Sequence, residues 1–236
     1  MRTVGIVGYK NSGKTTLAHA LAQELVKRGH RVAAVKHSSE RMDFLEKDTA
    51  KLGEFAGQVG FISALESGVF WKKPLSLENI MPHLEADVLL VEGFKAEKTF
   101  PKIVCLRGEP DDQDLFDGLA VCAVGPAPEG RELDVPLLSL DEIGEIADLV
   151  EEKAFKLPNL DCGSCGFGTC YELAREIVKG NRSEEDCISL QPMTEVRIDG
   201  ELMPMNPFIS DIVRGTILGM LSPLKGFKKG KIEIGI

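Results

Sequence analysis

Eight residues near the N-terminus, Gly8-Tyr9-Lys10-Asn11-Ser12-Gly13-Lys14-Thr15, have the spacing G-x-x-x-x-G-K-[ST]. That pattern suits one task, holding a chain of phosphates. Glycines let the backbone approach anionic oxygens, and the N–H groups of residues 11–15 would turn inward around them. A helix starting at once after the loop adds its positive end. Lys14 would reach the β- and γ-phosphates, and the Thr15 hydroxyl would ligate Mg²⁺. The expected nucleotide contacts are Gly8, Asn11, Ser12, Gly13, Lys14, Thr15 and Thr16. The base is not chosen by this loop. No Asn-Lys-x-Asp string occurs, and the apolar run 120–124 is followed by Gly125-Pro126-Ala127-Pro128, so GTP and ATP both remain open.

Hydrolysis needs a carboxylate on the Mg²⁺ side and a group that orients water. Glu92 directly follows the apolar run 87–91, which reads as a buried parallel strand, and ligands of such sheets gather at the carboxyl ends of the strands. Asp43 and Asp48 lie in the polar segment after a second strand at 32–35. Both read equally well as members of a solvated helix face. Lys36 and His37 close that second strand, either as site residues or as ordinary polar ends.

The second cluster of chemistry is Cys162-x2-Cys165-x4-Cys170-x16-Cys187, four of the six cysteines within 26 residues. Thiolates are soft ligands that select iron–sulfur clusters, zinc or Cu(I). Structural zinc is usually held by two short C-x2-C knuckles. One compact three-cysteine loop with a remote fourth ligand suits a [4Fe–4S] cubane better, with structural zinc as the alternative. Gly163, Gly166 and Gly168 interleave the ligands and leave backbone N–H groups for the sulfides. Cys105 and Cys122 fall inside strand candidates and read as core residues, and His19 and His83 as ordinary structural histidines.

The elements that must position these groups follow from periodicity. Leu17, Leu21 and Leu25 recur at i, i+4 and i+8, and Gly29 ends that helix. The strand–loop–helix–strand opening implies a parallel sheet with a right-handed crossover. A hairpin is expected from strands at 59–65 and 68–71, separated by Glu66-Ser67. Further strands are expected at 103–106, 119–124 and 136–138. Ser139 and Glu142 form a capping box opening a helix to about residue 152, and another helix is expected over 171–179. Asp199-Gly200 turns a second hairpin within 196–202. Asn206-Pro207 starts a helix of about 15 residues, with Ile209, Ile212, Val213, Ile217 and Met220 roughly on one face. Residues 231–236 alternate like a strand. The fold class is therefore α/β, in three parts: a P-loop domain over 1–155, a cluster domain over 156–192 and an α+β module over 193–236. We expect the last part to pack over the cluster domain or mediate dimerisation.

The 236 residues are 43% hydrophobic and 28% charged, an ordinary globular balance with a net charge of −9. That charge argues against a general nucleic-acid binder. Apolar runs are too short to span a membrane. The N-terminus reads as a strand and not as a signal peptide, so the expected location is cytoplasmic, where clustered cysteines bind metal more often than they pair.

Taken together, the P-loop, Val35-Lys36-His37, Asp43, Lys47-Asp48-Thr49, Ala56-Gly57, and Leu90-Val91-Glu92-Gly93-Phe94-Lys95 leading to Pro101-Lys102-Ile103 resemble the molybdopterin-guanine dinucleotide biosynthesis protein B family over about residues 1–155. The resemblance implies a P-loop GTP-binding fold, usually a homodimer and a slow GTPase. It would assist attachment of GMP to molybdopterin as an adapter for a nucleotidyltransferase. It also places Lys14, Thr15, Asp48 and Glu92 at the nucleotide and Mg²⁺ site. The chain departs from the family at Ser38-Ser39-Glu40-Arg41, where a further histidine is frequent. Residues 156–192 resemble the [4Fe–4S] domain of RnfB and of carbon monoxide dehydrogenase-associated proteins. The two resemblances together imply an adapter for molybdo- or tungsto-enzymes. The rival is an iron–sulfur electron-transfer or metallocluster-carrier protein gated by ATP or GTP.

Overall fold

A computed structural model of the chain describes residues 1–38, 55–130, 132–190, 194–228 and 232. Asp43, Asp48, the polar segment around them and the expected strand at 231–236 (apart from Ile232) lie outside the described residues.

The chain opens with β1 (Arg2–Gly8), α1 (Lys14–Lys27) and β2 (Val32–Lys36). It continues through β3 (Gln58–Ile62), β4 (Ser67–Trp71), the short α2 (Leu77–Ile80), β5 (Val88–Glu92), β6 (Lys102–Cys105), β7 (Ala120–Val124), β8 (Leu137–Leu138) and α3 (Ile143–Lys153). A six-stranded sheet in the order β2-β5-β1-β6-β7-β8 is parallel throughout. Strands buried on both faces read as continuous apolar runs, as Val88-Leu89-Leu90-Val91 and Ile103-Val104-Cys105 do.

One face of the sheet packs Val4, Ile6, Val88 and Ile103 against Leu17, Leu21 and Leu25 of α1 and Ile146, Ala147 and Val150 of α3. The opposite face packs Leu89 and Val91 on Leu77 and Phe100, and Val7 and Val104 on Leu115. Helix α1 stops where Gly29, at φ 94°, takes the left-handed conformation. The Gly29 N–H then donates to Val26 O and the His30 N–H to Leu25 O. Arg28 at this end binds Asp148, Glu151 and the Gly144 carbonyl, tying α1 to α3.

Two local expectations are corrected. The first hairpin turns at residues 63–66 and not at Glu66-Ser67, so its strands are 58–62 and 67–71. The reason is Ser63, whose hydroxyl accepts from the N–H groups of Leu65 and Glu66 and closes the turn early. The strand before the candidate acid begins one residue late. Asp87 is taken up by Arg31, accepting from its backbone N–H and its guanidinium. Glu92 thus becomes the last residue of β5, level with Lys36 on one side and Ile6 on the other.

Beyond α3 come α4 (Cys170–Val178), a two-residue hairpin of β9 (Arg197–Ile198) and β10 (Glu201–Leu202), and α5 (Pro207–Leu221). Helix α5 starts as its sequence dictates, with Asn206 Oδ1 accepting from the Ile209 N–H and Pro207 at the first helical position. Several of its apolar residues are not covered by the described residues, though Val213, Ile217 and Leu218 are half-buried. Phe208, Ile209, Ile212 and Met220 are exposed, so the expected packing over the cluster domain is not observed at these positions.

Candidate nucleotide and cluster sites

The loop from Tyr9 to Gly13 lies at the carboxyl end of the central strand. A side chain at Gly8 has no room, because a Cβ there would stand 2.2 Å from Ser12 Oγ and 2.8 Å from the Cys105 carbonyl. Asn11 (φ 65°) and Gly13 (φ 80°) are both left-handed, which curls the loop ahead of α1. The first turn of α1 has no acidic residue and no side-chain cap. Among the described residues its leading N–H groups have no side-chain acceptor, the condition an anion site needs. Lys14 Nζ donates to Tyr9 O at 2.5 Å, across the mouth of the loop.

Thr15 and Glu92, 77 residues apart, meet here. The Thr15 hydroxyl donates to Glu92 Oε1 at 2.9 Å, and Lys36 Nζ lies 3.0 Å from the same oxygen and 3.2 Å from Thr15 Oγ1. The expected magnesium ligands Thr15 and Glu92 are thus brought together, while Asp48 lies outside the described residues. A hydroxyl and a carboxylate are hard oxygen donors of the kind Mg²⁺ takes, and the Lys36 ammonium shows that this carboxylate accommodates a cation. The sequence left Lys36 open between a site residue and a strand end; the geometry puts it in the site.

Beside the loop is a cavity of about 730 Å³ at the carboxyl ends of β6, β7 and β8. It is bounded by Asn11, Ser12, Gly13, Thr16 and Leu17 on one side, and by Arg107, Gly125, Pro126, Ser139 and Glu142 on the other. Its volume suits a nucleoside. Gly125-Pro126 and the Ser139/Glu142 capping box carried no site signal in the sequence, because three strand ends must converge before they share a cavity. Cys105 borders this cavity, but burial pushes its thiol up to about 12, as it does that of Cys122. Both are core residues, as expected.

The second group of cysteines follows α3. Helix α4 begins at Cys170 itself, fixed by a capping box in which Thr169 Oγ1 accepts from the Glu172 N–H. Cys170 and Cys187 are buried together with Leu157 and Leu173, and Cys165 packs against the same cluster. Cys162 joins through Ser189, with Sγ 3.3 Å from its hydroxyl. The Asp161 carboxylate, on a residue with φ 43°, accepts from the Cys170 N–H at 2.6 Å. Burial pushes the Cys170 and Cys187 thiols up. Burial also acts on Cys162, but hydrogen bonds from Ser189 and Ser164 outweigh it and lower that thiol. All six cysteines are free. Among the described residues no three ligand side chains gather as a single metal ion would need; by type and spacing, four reduced thiols interleaved with glycines at positive φ (Gly163 and Gly166) are a donor set that suits a larger iron–sulfur cluster.

The cysteine segment is docked on the sheet. Leu119, just ahead of β7, packs with Phe155, Leu157, Cys170 and Cys187. The Leu157 N–H donates to Thr99 O at 2.8 Å, and Tyr171 Oη donates to Asp117 O at 2.5 Å. Asp117 itself accepts from Lys98 and Lys102, the latter with only 1% of its side chain exposed. Burial would push the Asp117 carboxyl up, but these two ammonium groups outweigh it and hold it low. Lys102→Met should therefore destabilise the protein by about 3 kcal/mol, the lower end for breaking a buried pair, because Lys98 still serves Asp117. Urea unfolding of K102M and of K102M/D117N checks this, with the double variant expected to recover part of the loss.

Comparison with known proteins agrees with this geometry. The model of the family described as molybdopterin guanine dinucleotide synthesis protein B matches residues 3–124. A second model, for an Fe-S cluster domain, matches residues 157–189. A Methanocaldococcus jannaschii protein named as a molybdopterin-guanine dinucleotide biosynthesis adapter is 32% identical over all of this chain and 98% of its own length. The adapter protein of that name from Haemophilus influenzae is 35% identical over 63% of this chain and 86% of its own. The crystal structure of a MobB homologue from Bacillus stearothermophilus superposes with a TM-score of 0.51 at 27% identity, covering 65% of this chain and 100% of that one. Bacillus subtilis MobB shares the fold, with a TM-score of 0.55 at 23% identity over 66% of this chain and 99% of its own. With the family model over residues 3–124 and a relative 32% identical along the whole chain, the chain belongs to the molybdopterin-guanine dinucleotide biosynthesis protein B family and carries a domain of iron–sulfur type after the family domain.

Proposed function

We propose that this protein is a GTP-binding adapter in molybdenum or tungsten cofactor assembly, assisting attachment of GMP to molybdopterin, with an added [4Fe–4S] cluster. The observation that carries the reading is the meeting of Thr15 and Glu92 at 2.9 Å on the first turn of α1, beside a cavity of nucleoside size. The adapter names of the relatives support the biological role.

In this reading the backbone of residues 11–15 and Lys14 bind the phosphates, Thr16 faces the nucleoside, and Thr15, Glu92 and Asp48 hold Mg²⁺. The metal neutralises charge on the β- and γ-phosphate oxygens when bound. Glu92 and Asp48 are the catalytic carboxylates of a slow GTPase, with Glu92 held in place by its strand pairing to Lys36 and Ile6. Cys162, Cys165, Cys170 and Cys187 are the cluster ligands. The working unit is a cytoplasmic homodimer that meets a molybdopterin nucleotidyltransferase and through it the molybdo- or tungsto-enzymes. Among the described residues no helix is long and apolar enough to cross a membrane.

A second reading, a nucleotide-gated electron-transfer or cluster-carrier protein, is favoured by the direct contact of the cysteine segment with the sheet at Asp117 and Thr99. Titration of the anaerobic protein with GTP and ATP, together with co-purification against a nucleotidyltransferase, separates the two. Tighter GTP binding and a nucleotide-dependent complex are expected. ATP preference with nucleotide-dependent reduction or release of iron would favour the second reading.

A further inference from the structure

Lys95 stands out among the cations of the nucleotide site because its ammonium rests on a ring and not on a carboxylate or a carbonyl. Its Nζ sits 3.6 Å above the ring of Tyr9, and among the described residues no carboxylate pairs with it. Arg107 lies on the same ring, its guanidinium carbon 4.4 Å from the centroid, but it is satisfied by Asp111 and Asp112. Tyr9 thus carries two ammonium groups, Lys14 on its carbonyl and Lys95 on its ring.

The backbone of Lys95 is built into place. Gly93 (φ 94°) and Phe94 (φ 45°) are consecutive left-handed residues, an unusual pair that bends the chain back from β5 toward the loop. The buried Lys102 ammonium donates to Lys95 O at 2.8 Å and pins the end of that bend. The side chain itself is exposed and free to reach a ligand. Burial first, then the positive charges of Lys14 and Arg107, push the Lys95 ammonium down from its ordinary value. An ammonium beside two other cations, held on an aromatic face and drawn at longer range by Asp111 and Asp112, is placed for an anion that arrives later.

Its position selects which anion. Lys95 rests on the ring of the residue whose carbonyl holds Lys14, the lysine expected at the β- and γ-phosphates. The nucleoside cavity opens past the loop against Thr16, Leu17 and Gly125, and its lining residue Arg107 also lies on the Tyr9 ring. We propose that Lys95 is a terminal-phosphate sensor: with a nucleoside triphosphate in the loop, its ammonium leaves the Tyr9 ring and joins Lys14 on the γ-phosphate, whereas a diphosphate leaves it on Tyr9. This rests on the P-loop binding a nucleotide, and it goes beyond that reading by naming what distinguishes the triphosphate form of the protein from the diphosphate form.

The test is calorimetric titration of the full chain with Mg²⁺ and either guanosine 5′-(β,γ-imido)triphosphate or GDP, repeated with the adenosine pair, in wild type, Lys95→Met and Lys14→Ala. Lys95→Met should weaken the imidotriphosphate about ten-fold, the scale of one charge-assisted hydrogen bond, and leave the diphosphate within two-fold. Retained diphosphate binding also shows that the variant is folded. Equal losses for both ligands, or no loss for either, would overturn the sensor. Undiminished binding in Lys14→Ala, or none in wild type, would instead overturn the P-loop reading on which the sensor depends.

Discussion

Lys14→Ala is expected to weaken nucleotide binding by about a hundred-fold or more while leaving the iron content unchanged. The lysine contributes hydrogen bonds to charged oxygens, each strengthened by full charge on both partners, and two such bonds reach that factor at 1.36 kcal/mol per tenfold. The variant should still fold. Among the described residues Lys14 Nζ has one acceptor, Tyr9 O, and that carbonyl keeps the Ser12 N–H as a donor at 3.3 Å. The stability cost is therefore about 1 kcal/mol or less. Calorimetric titration and iron analysis on the same preparation check both halves.

Cys170→Ser and Cys187→Ser are each expected to lose the cluster, taking anaerobic iron from about four per chain to below about one and removing the brown absorbance. A serine oxygen is a hard, poorly ionised donor where a soft thiolate is needed. Both residues are buried against Leu119 and Leu157, so loss of the cluster should also loosen the seat of α4 on the sheet. Cys122→Ala is the control. Its thiol is fully buried with Ile103 and Val121 and held near 12, and iron should remain at the wild-type level. Iron lost from Cys122→Ala and kept in Cys170→Ser would reverse the assignment.

Local chemistry was legible in the sequence and distant pairing was not. Leu17, Leu21 and Leu25 announced the buried face of α1, and Gly29, Asn206 and the Ser139/Glu142 box announced helix ends, because each acts on neighbours within four residues. The cysteine spacing and the P-loop were legible for the same reason. Ser63 was not read as a turn residue, since its hydroxyl competes with strand pairing only once the hairpin has formed. Helix α4 starts at Cys170 because Thr169 and Glu172 cap it, a signal hidden beneath the cysteine pattern. Lys102 with Asp117, Tyr9 with Lys95, and Tyr171 with the Asp117 carbonyl are contacts that only the assembled sheet creates. The start of α5 at Asn206-Pro207 and its length were legible, but no rule of periodicity states whether a face is covered within the chain.

The most direct test of the central claim is calorimetric titration of the anaerobic, full-length protein with GTP, in Mg²⁺ and in chelator, beside Glu92→Gln. About one nucleotide per chain is predicted, with affinity that falls when Mg²⁺ is removed and with little metal dependence left in Glu92→Gln. Binding of neither GTP nor ATP, or binding equally tight with and without Mg²⁺, would contradict a nucleotide site built on Lys14, Thr15 and Glu92.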